Sequence, residues 1–211
     1  MKQNSTCSLA LTAMLIASAG LAIDYTWTGA NGVDWGDSGN WSPAGVPGNT
    51  DTGILTGVVA NQPNIGAGDD LRYLNVESGG YTISSDAGGG VLGNLGFRPA
   101  SGNDAPKELN VTGAGLTVID ANVTAPSDYN GPDLFVGSGS KLVINGNLED
   151  PLGRSWTQSG TGTVVYNGSV SEARSFSPPG GAGNSGSYIY NCPHPVIVSN
   201  GGDTRIGSGH V

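Results

Sequence analysis

The segment LNVESGGYTI at residues 74–83 recurs as LNVTGAGLTV at residues 109–118, and a looser copy, LFVGSGSKLVI, occupies residues 134–144. Each copy places an apolar-x-apolar triplet on either side of a short Gly-rich turn. In a strand the first and third side chains point to the same face, and glycine allows a sharp bend at little steric cost. One copy cannot bury its own apolar face, whereas stacked copies cover one another and pair their backbones.

The spacing of the copies favours a stack over a sandwich. They begin at residues 74, 109 and 134, which fits the coils of a β-solenoid whose loops vary in length. An antiparallel β-sandwich is the alternative all-β fold, and it would favour longer strands with regular alternation. Few apolar runs here are that long, so the sequence predicts an all-β solenoid.

The composition excludes other fold classes. The chain has 211 residues, of which 37 are Gly, and only 12% are charged. Helical bundles, coiled coils and doubly wound α/β enzymes need long runs of helix formers, which this sequence does not contain. The net charge of −9 opposes binding to nucleic acid or to anionic lipid, because both are negatively charged.

The N-terminus predicts export. Residues 1–22 combine the charge of Lys2, an apolar stretch at 9–17 and small residues before a cut after Ala22, as in a signal peptide. The apolar stretch is too short to span a bilayer, and we expect no membrane span in the mature chain. Removal of the signal, which contains Cys7, would leave Cys192 as the one cysteine, either as a small buried hydrophobe or paired with another chain.

The mature chain divides into two parts. Residues 23–52 contain three of the four Trp residues, and such a dense aromatic segment suits a cap that seals one end of a stack. Residues 53–211 carry short β-like runs separated by Gly-Ser and Asn-Gly turns, which predicts the solenoid coils.

A family resemblance accompanies these features. The residues Trp27-Thr28-Gly29, Trp35, Asn40-Trp41-Ser42, Val46-Pro47-Gly48 and Asp51 resemble the opening of large secreted bacterial proteins with autotransporter-associated β-strand repeats, of the planctomycete and verrucomicrobial type. Residues 160–168 and 201–209 are similar to rungs of such repeats. The resemblance implies a right-handed parallel β-helix at the cell surface, with no catalytic residue and no cofactor. Because the sequence ends mid-pattern, without β-barrel strands or a sorting tail, we expect a C-terminally truncated passenger fragment.

Two short motifs resemble known functional sites. Gly36-Asp37-Ser38-Gly39 is similar to a protease nucleophile loop, but both histidines, His194 and His210, follow it in the chain, so we interpret it as a turn. Residues 65–71 partly match a calcium-binding nonapeptide. A single copy does not form such a site, and we expect a solvated acidic loop there.

Other candidate residues have structural interpretations as well. Asp69-Asp70 and Glu149-Asp150 are adjacent acids that would point to opposite faces of a strand, although acids brought together by folding could cleave a polysaccharide. Cys192 and His194 are too few for a zinc site. We expect Trp35 and Trp41 to be buried against the first coil rather than exposed to stack on sugars. After the signal segment, four asparagines occur in glycosylation-type triplets that arise by chance: Asn40, Asn110, Asn122 and Asn167.

The sequence therefore predicts a non-enzymatic, exported structural or adhesive surface protein of a bacterium. It would carry no cofactor and no metal, and its partners would be extracellular polysaccharide or cell-surface components. Outward loops such as residues 178–186 would make any contacts. The alternative is a polysaccharide-binding or polysaccharide-cleaving β-helix protein.

Overall fold

The structure, a computed structural model, describes residues 21–98, 108–125, 133–149, 156–172, 176–177, 187–191 and 197–198. The predicted signal segment lies outside these residues except for Leu21 and Ala22, as do Cys192, His194 and the predicted loop at 178–186. Within the described part the fold is all-β, a solenoid of about five turns. The predicted fold class is therefore confirmed.

Short elements precede the regular turns. These are β1 (Asp24–Trp27), a 3-10 turn (Ser38–Asn40), β2 (Trp41–Ser42), β3 (Thr52–Leu55) and β4 (Gly68–Leu71).

Each regular turn then contributes three strands. The first turn contains β5 (Tyr73–Val76), β6 (Thr82–Ser84) and β7 (Asn94–Phe97). The second contains β8 (Glu108–Val111), β9 (Gly115–Asp120) and β10 (Asn122–Thr124). The third contains β11 (Asp133–Val136), β12 (Ser140–Ile144) and β13 (Leu148–Glu149). The fourth contains β14 (Trp156–Gly160), β15 (Thr163–Tyr166) and β16 (Val170–Glu172), and the fifth contains β17 (Phe176–Ser177), β18 (Ser187–Tyr190) and β19 (Ile197–Val198).

The strands form three sheets that run the length of the stack. Sheet A has the order β17-β14-β11-β8-β5-β3-β1-β2, sheet B the order β18-β15-β12-β9-β6, and sheet C the order β19-β16-β13-β10-β7-β4. Neighbouring strands are parallel, with the exception of β1 and β2. Each turn visits sheets A, B and C in that order, so successive copies of the sequence repeat lie one above another.

The core consists of ladders of identical or similar side chains. In sheet A, Leu74, Leu109 and Leu134 occupy matching register positions and are at most 2% exposed. Valine forms a second ladder two residues further along each strand. Full burial of such a side chain stabilises a fold by roughly 1.5–3 kcal/mol. The sequence repeat therefore provides the core that a single turn lacks.

The second half of the repeat is shifted by one residue relative to the sequence alignment. The alignment pairs Thr82 with Thr117, whereas the structure pairs Thr82 with Val118. Residues 112–117 separate Val111 from Val118, one residue more than the segment 77–81 that separates Val76 from Thr82. A one-residue shift exchanges the two faces of a strand. Thr117 is therefore buried, and Leu116, expected in the core, is 47% exposed. The corner glycines Gly80 and Gly115 have φ values of +92° and +106°, as the repeat predicts.

Apolar alternation does not predict most of sheet C. The apolar run at residues 71–76 resembles one strand, but it contains the end of β4 in sheet C and all of β5 in sheet A. Arg72 lies between them at the corner. Strands as short as β10 and β13 carry too few apolar residues to be recognised by alternation alone.

The predicted aromatic cap is present at the N-terminal end. Trp41 packs edge-on against Trp27 and Trp35, with ring centroids 5.1 and 4.6 Å apart. The indole N–H of Trp27 donates to the carbonyl of Asn61 at 2.9 Å, and that of Trp41 donates to the carbonyl of Trp35 at 2.9 Å. The cluster closes the hydrophobic core below the first turn. No helix in the described ranges is long and apolar enough to cross a membrane.

Candidate functional site

A row of polar side chains follows the corner between sheets B and C, and we call it the amide ladder (Asp120, Asn145, Asn167 and Asn191). Asp120 is the last residue of β9, and each of the three asparagines directly follows its strand of sheet B. Asn145 donates to the carboxylate of Asp120, Asn167 donates to Asn145 at 2.6 Å, and Asn191 donates to Asn167 at 3.1 Å. The ladder therefore joins four consecutive turns through hydrogen bonds between side chains on the outer surface.

A second polar row lies at the start of sheet C. The side chain of Asn122 donates to the side-chain oxygen of Asn94 at 3.1 Å. The backbone N–H of Asn147 donates to Asn122, and that of Ser169 donates to Asn147, both at 3.0 Å. These bonds satisfy backbone groups where the chain leaves one sheet for the next, so the corner keeps its shape in every turn.

The glycosylation-type asparagines serve this architecture. Asn122 and Asn167 belong to the two polar rows, and Asn110 donates to Asn75 of the neighbouring turn at 3.1 Å. Asn40 is fully buried in the cap, where it donates to the carbonyl of Asp34 at 2.8 Å. Their amides therefore pair within the fold.

The two adjacent acids Asp69 and Asp70 lie on β4, which forms the end of sheet C. The expected solvated acidic loop at residues 65–71 is wrong for Gly68–Leu71, which form a strand, whereas residues 66–67 form a turn. Asp69 matches Leu95 in register and shares its face with buried Leu71, so it points toward the core. The carboxylate of Asp70 points to the outer face, 3.5 Å from the guanidinium of Arg98. The adjacent acids thus face opposite sides, as the period of a strand requires.

Burial makes the carboxyl group of Asp69 a weaker acid than usual. Desolvation raises its pKa from 3.8 to about 6, and this outweighs the hydrogen bond from the backbone N–H of Asp70, which lowers the pKa. That bond is 2.9 Å long and ends on Oδ1. An open cleft of about 380 Å³ adjoins the two acids and is also lined by Asn94. Because the two carboxylates lie on opposite faces of β4, they are not arranged as an acid and base acting on one bond.

The other candidate motifs have structural roles where they are described. Asp37 accepts a hydrogen bond from the N–H of Gly39 at 2.8 Å and caps the 3-10 turn, so the protease-like motif is a turn, as predicted. Trp35 and Trp41 are 1% and 3% exposed, which confirms the predicted burial. Glu149 accepts from the side chain of Asn147 at 3.1 Å. In the described part of the chain, no group of three or more His, Cys, Asp or Glu could hold a metal ion.

The sequence reading missed the amide ladder, although a signal for it exists. Residues 119–122, 144–147 and 166–169 read IDAN, INGN and YNGS: an apolar residue, Asp or Asn, a small residue, and Asn or Ser. The small residue is required because successive corners are in close contact. A Cβ on Gly146 would overlap the carbonyl of Ala121, and one on Gly168 would overlap the carbonyl of Gly146. The motif is therefore the sequence signature of the corner.

Comparison with known proteins returned no match: no family model, no curated protein and no solved structure is similar to this chain.

Proposed function

We propose that this protein is an exported, non-enzymatic structural or adhesive element of a bacterial cell surface. The observation that carries the proposal is the continuous in-register stack of five turns. Parallel strands repeat at about 4.8 Å, so each added turn lengthens a shaft of constant cross-section. A repeat of this kind suits a spacer that presents its loops away from a surface.

The surface features support a shaft that works outside a cell. Hydrogen bonds between the side chains of the amide ladder connect the turns on the outside, in addition to the hydrophobic ladders inside. The residues that the structure describes contain no cysteine, so these contacts join the turns there without disulfides. The net charge of −9 favours solubility in an extracellular setting. Export itself rests on the signal-like residues 1–22.

The polysaccharide-binding alternative loses the support of the three N-terminal tryptophans. Exposed tryptophans are the side chains that would stack on sugar rings, and Trp27, Trp35 and Trp41 are all buried in the cap. We therefore retain the shaft as the proposed function.

Export is tested first, in a bacterium that expresses the full chain. We expect the protein in the exported fraction, with a mature N-terminus at Ile23 determined by mass spectrometry. The matched control carries Leu11→Arg and Leu15→Arg, which interrupt the apolar stretch and should leave the precursor inside the cell. Wild-type protein that remains inside the cell at full precursor mass would contradict export.

The surface role is tested with the protein purified from the exported fraction. Beads coated with it are mixed with isolated bacterial envelopes and with insoluble polysaccharides, and released sugars are assayed. Retention of the beads on either material without released sugar supports an adhesive shaft. Release of sugar would contradict the non-enzymatic role, and the absence of retention on every surface would contradict the adhesive one.

A further inference from the structure

The three sheets end differently at the N-terminal end of the stack. Sheet A ends in β2, which pairs antiparallel with β1 and covers its edge. Sheet B extends beyond β6 through single bridges from Ser84 to Asn64 and from Asn64 to Asp34. Sheet C ends at β4, and no described strand covers its outer edge. This edge is where another strand could add to the solenoid.

The backbone N–H groups along this edge are already hydrogen-bonded. In a parallel strand alternate residues bond to the same neighbour, so Gly68 and Asp70 direct their N–H groups away from β7. The N–H of Gly68 donates to the carbonyl of Ile65 at 3.0 Å. The N–H of Asp70 donates to Oδ1 of Asp69 at 2.9 Å. An incoming strand would therefore find both donors occupied, one of them by a side chain.

The side chain of Asp69 adds an electrostatic obstacle. A carboxylate only accepts hydrogen bonds, so it repels the carbonyl groups that a new strand would bring to this edge. Its position toward the core, beside Leu95, would leave the charge buried without a cation once a strand covered it, which is costly. Arg98 does not compensate, because it pairs with Asp70 on the outer face. Natural sheets use inward-pointing charges at their edges against such pairing.

We propose that Asp69 is an edge guard, which prevents the N-terminal edge of sheet C from pairing with a strand of a second copy of this chain. The second copy is the matching occupant because β19 (Ile197–Val198), the last described strand at the other side of the same sheet, runs in the same direction. Pairing of β19 with β4 of the next copy would continue sheet C. Such a head-to-tail contact does not close on itself and would produce filaments.

The test measures the association state of the purified protein by sedimentation velocity over a range of concentrations. At about pH 8, where carboxylates are ionised, we expect a single small species for the wild type. Asp69→Asn and Asp69→Val should shift to larger sedimentation coefficients as concentration rises. The matched control is Asp70→Asn, which removes the same charge from the outer face of the same strand and should sediment like the wild type.

A second substitution identifies the partner edge. Pro cannot donate a backbone hydrogen bond, so Ile197→Pro combined with Asp69→Val should return the protein to the small species. Circular dichroism verifies that each variant retains its β-structure. Asp69 variants that sediment like the wild type would overturn the proposal, as would equal association of Asp70→Asn or association that persists with Ile197→Pro. Failure of export or adhesion would leave this result unchanged, because the assay measures only self-association.

Discussion

The side chain of Asn167 donates a hydrogen bond to the side-chain oxygen of Asn145, the equivalent residue one turn earlier in the stack. Both residues directly follow their strands of sheet B, and the backbone N–H of Asn167 donates to the carbonyl of Ile144 at 2.9 Å. The sequence separation of 22 residues is the length of that turn. The polar side chains on the surface are therefore aligned from turn to turn in the same register as the buried apolar side chains.

Removal of an inner member of the amide ladder should weaken the stack. Asn145→Ala removes the hydrogen bonds to Asp120 and Asn167, and each such bond contributes about 1 kcal/mol. We expect urea denaturation to show a lower free energy of unfolding. Asn191→Ala, which removes the bond to Asn167, should cost less. Equal or larger loss for Asn191→Ala would contradict the role of the ladder.

A buried glutamine in the fourth turn should be a source of instability. Gln158 is 2% exposed and lies in register with Leu134, and neither of its amide atoms has a hydrogen-bond partner among the described residues. Because an unsatisfied buried polar group costs about 1–3 kcal/mol, Gln158→Leu should raise the free energy of unfolding. The matched control is Gln62→Leu, since Gln62 accepts from the N–H of Thr82 at 2.9 Å. The explanation fails if both substitutions change stability in the same direction.

The corner glycine of the third turn should not tolerate a methyl group. Gly146→Ala would place Cβ against the carbonyl oxygen of Ala121 in the turn before. Overpacking of this kind typically costs about 1–3 kcal/mol, and we expect a lower midpoint of thermal unfolding. Gly36→Ala is the control, because its nearest contact would be a side-chain oxygen of Asp34 at 3.4 Å. A Gly146→Ala protein as stable as that control would show that the corners are not in close contact.

The Trp cluster should be required to close the N-terminal end. Trp41 contacts both other rings and donates its N–H to the carbonyl of Trp35. Replacement of a buried Trp by Ala typically costs about 3–5 kcal/mol. In the Trp41→Ala variant we expect hydrogen exchange, followed by mass spectrometry, to increase first in peptides that contain β1 and β3. Exchange that rises first in the last turns would contradict the role of a cap.

The burial of Asp69 should appear as a dependence of stability on pH. Its pKa rises from 3.8 in the unfolded chain to about 6 in the folded protein, so the folded state binds the proton more tightly. The free energy of unfolding should therefore fall as pH rises from about 4 to about 6 and change little above that. Asp69→Asn should remove this decrease and be more stable than the wild type at neutral pH. Asp70→Asn, measured alongside, accounts for the loss of one charge, and an unchanged profile for Asp69→Asn would contradict the assignment.

The sequence predicted the features that depend on local repetition. The identity of residues 74–76 with 109–111 corresponds to strands that lie in register, because a stack aligns equivalent positions. The density of Trp before residue 52 corresponds to a closed end. In both cases the residues are of apolar types that are usually buried, so the sequence itself indicates which side chains enter the core.

The features that escaped prediction depend on the length of a corner. One additional residue before Thr117 exchanges the faces of β9, and the composition of the segment does not predict that insertion. Asp69 was assigned to a loop because acidic pairs are usually solvated, whereas its position at the end of sheet C turns it toward the core. The amide ladder was overlooked because asparagine is equally typical of turns.

The register of the parallel stack is the central claim, and disulfide trapping tests it most directly. Leu116 and Lys141 are exposed partners on β9 and β12, and neighbouring strands at about 4.8 Å lie within the range that a disulfide spans. With Cys7 and Cys192 replaced by Ser, the pair Leu116→Cys and Lys141→Cys should form an intramolecular disulfide on mild oxidation, seen as a loss of free thiols in the monomer. The offset pair Leu116→Cys and Val143→Cys should remain reduced. A disulfide in the offset pair, or none in the matched pair, would contradict the stack.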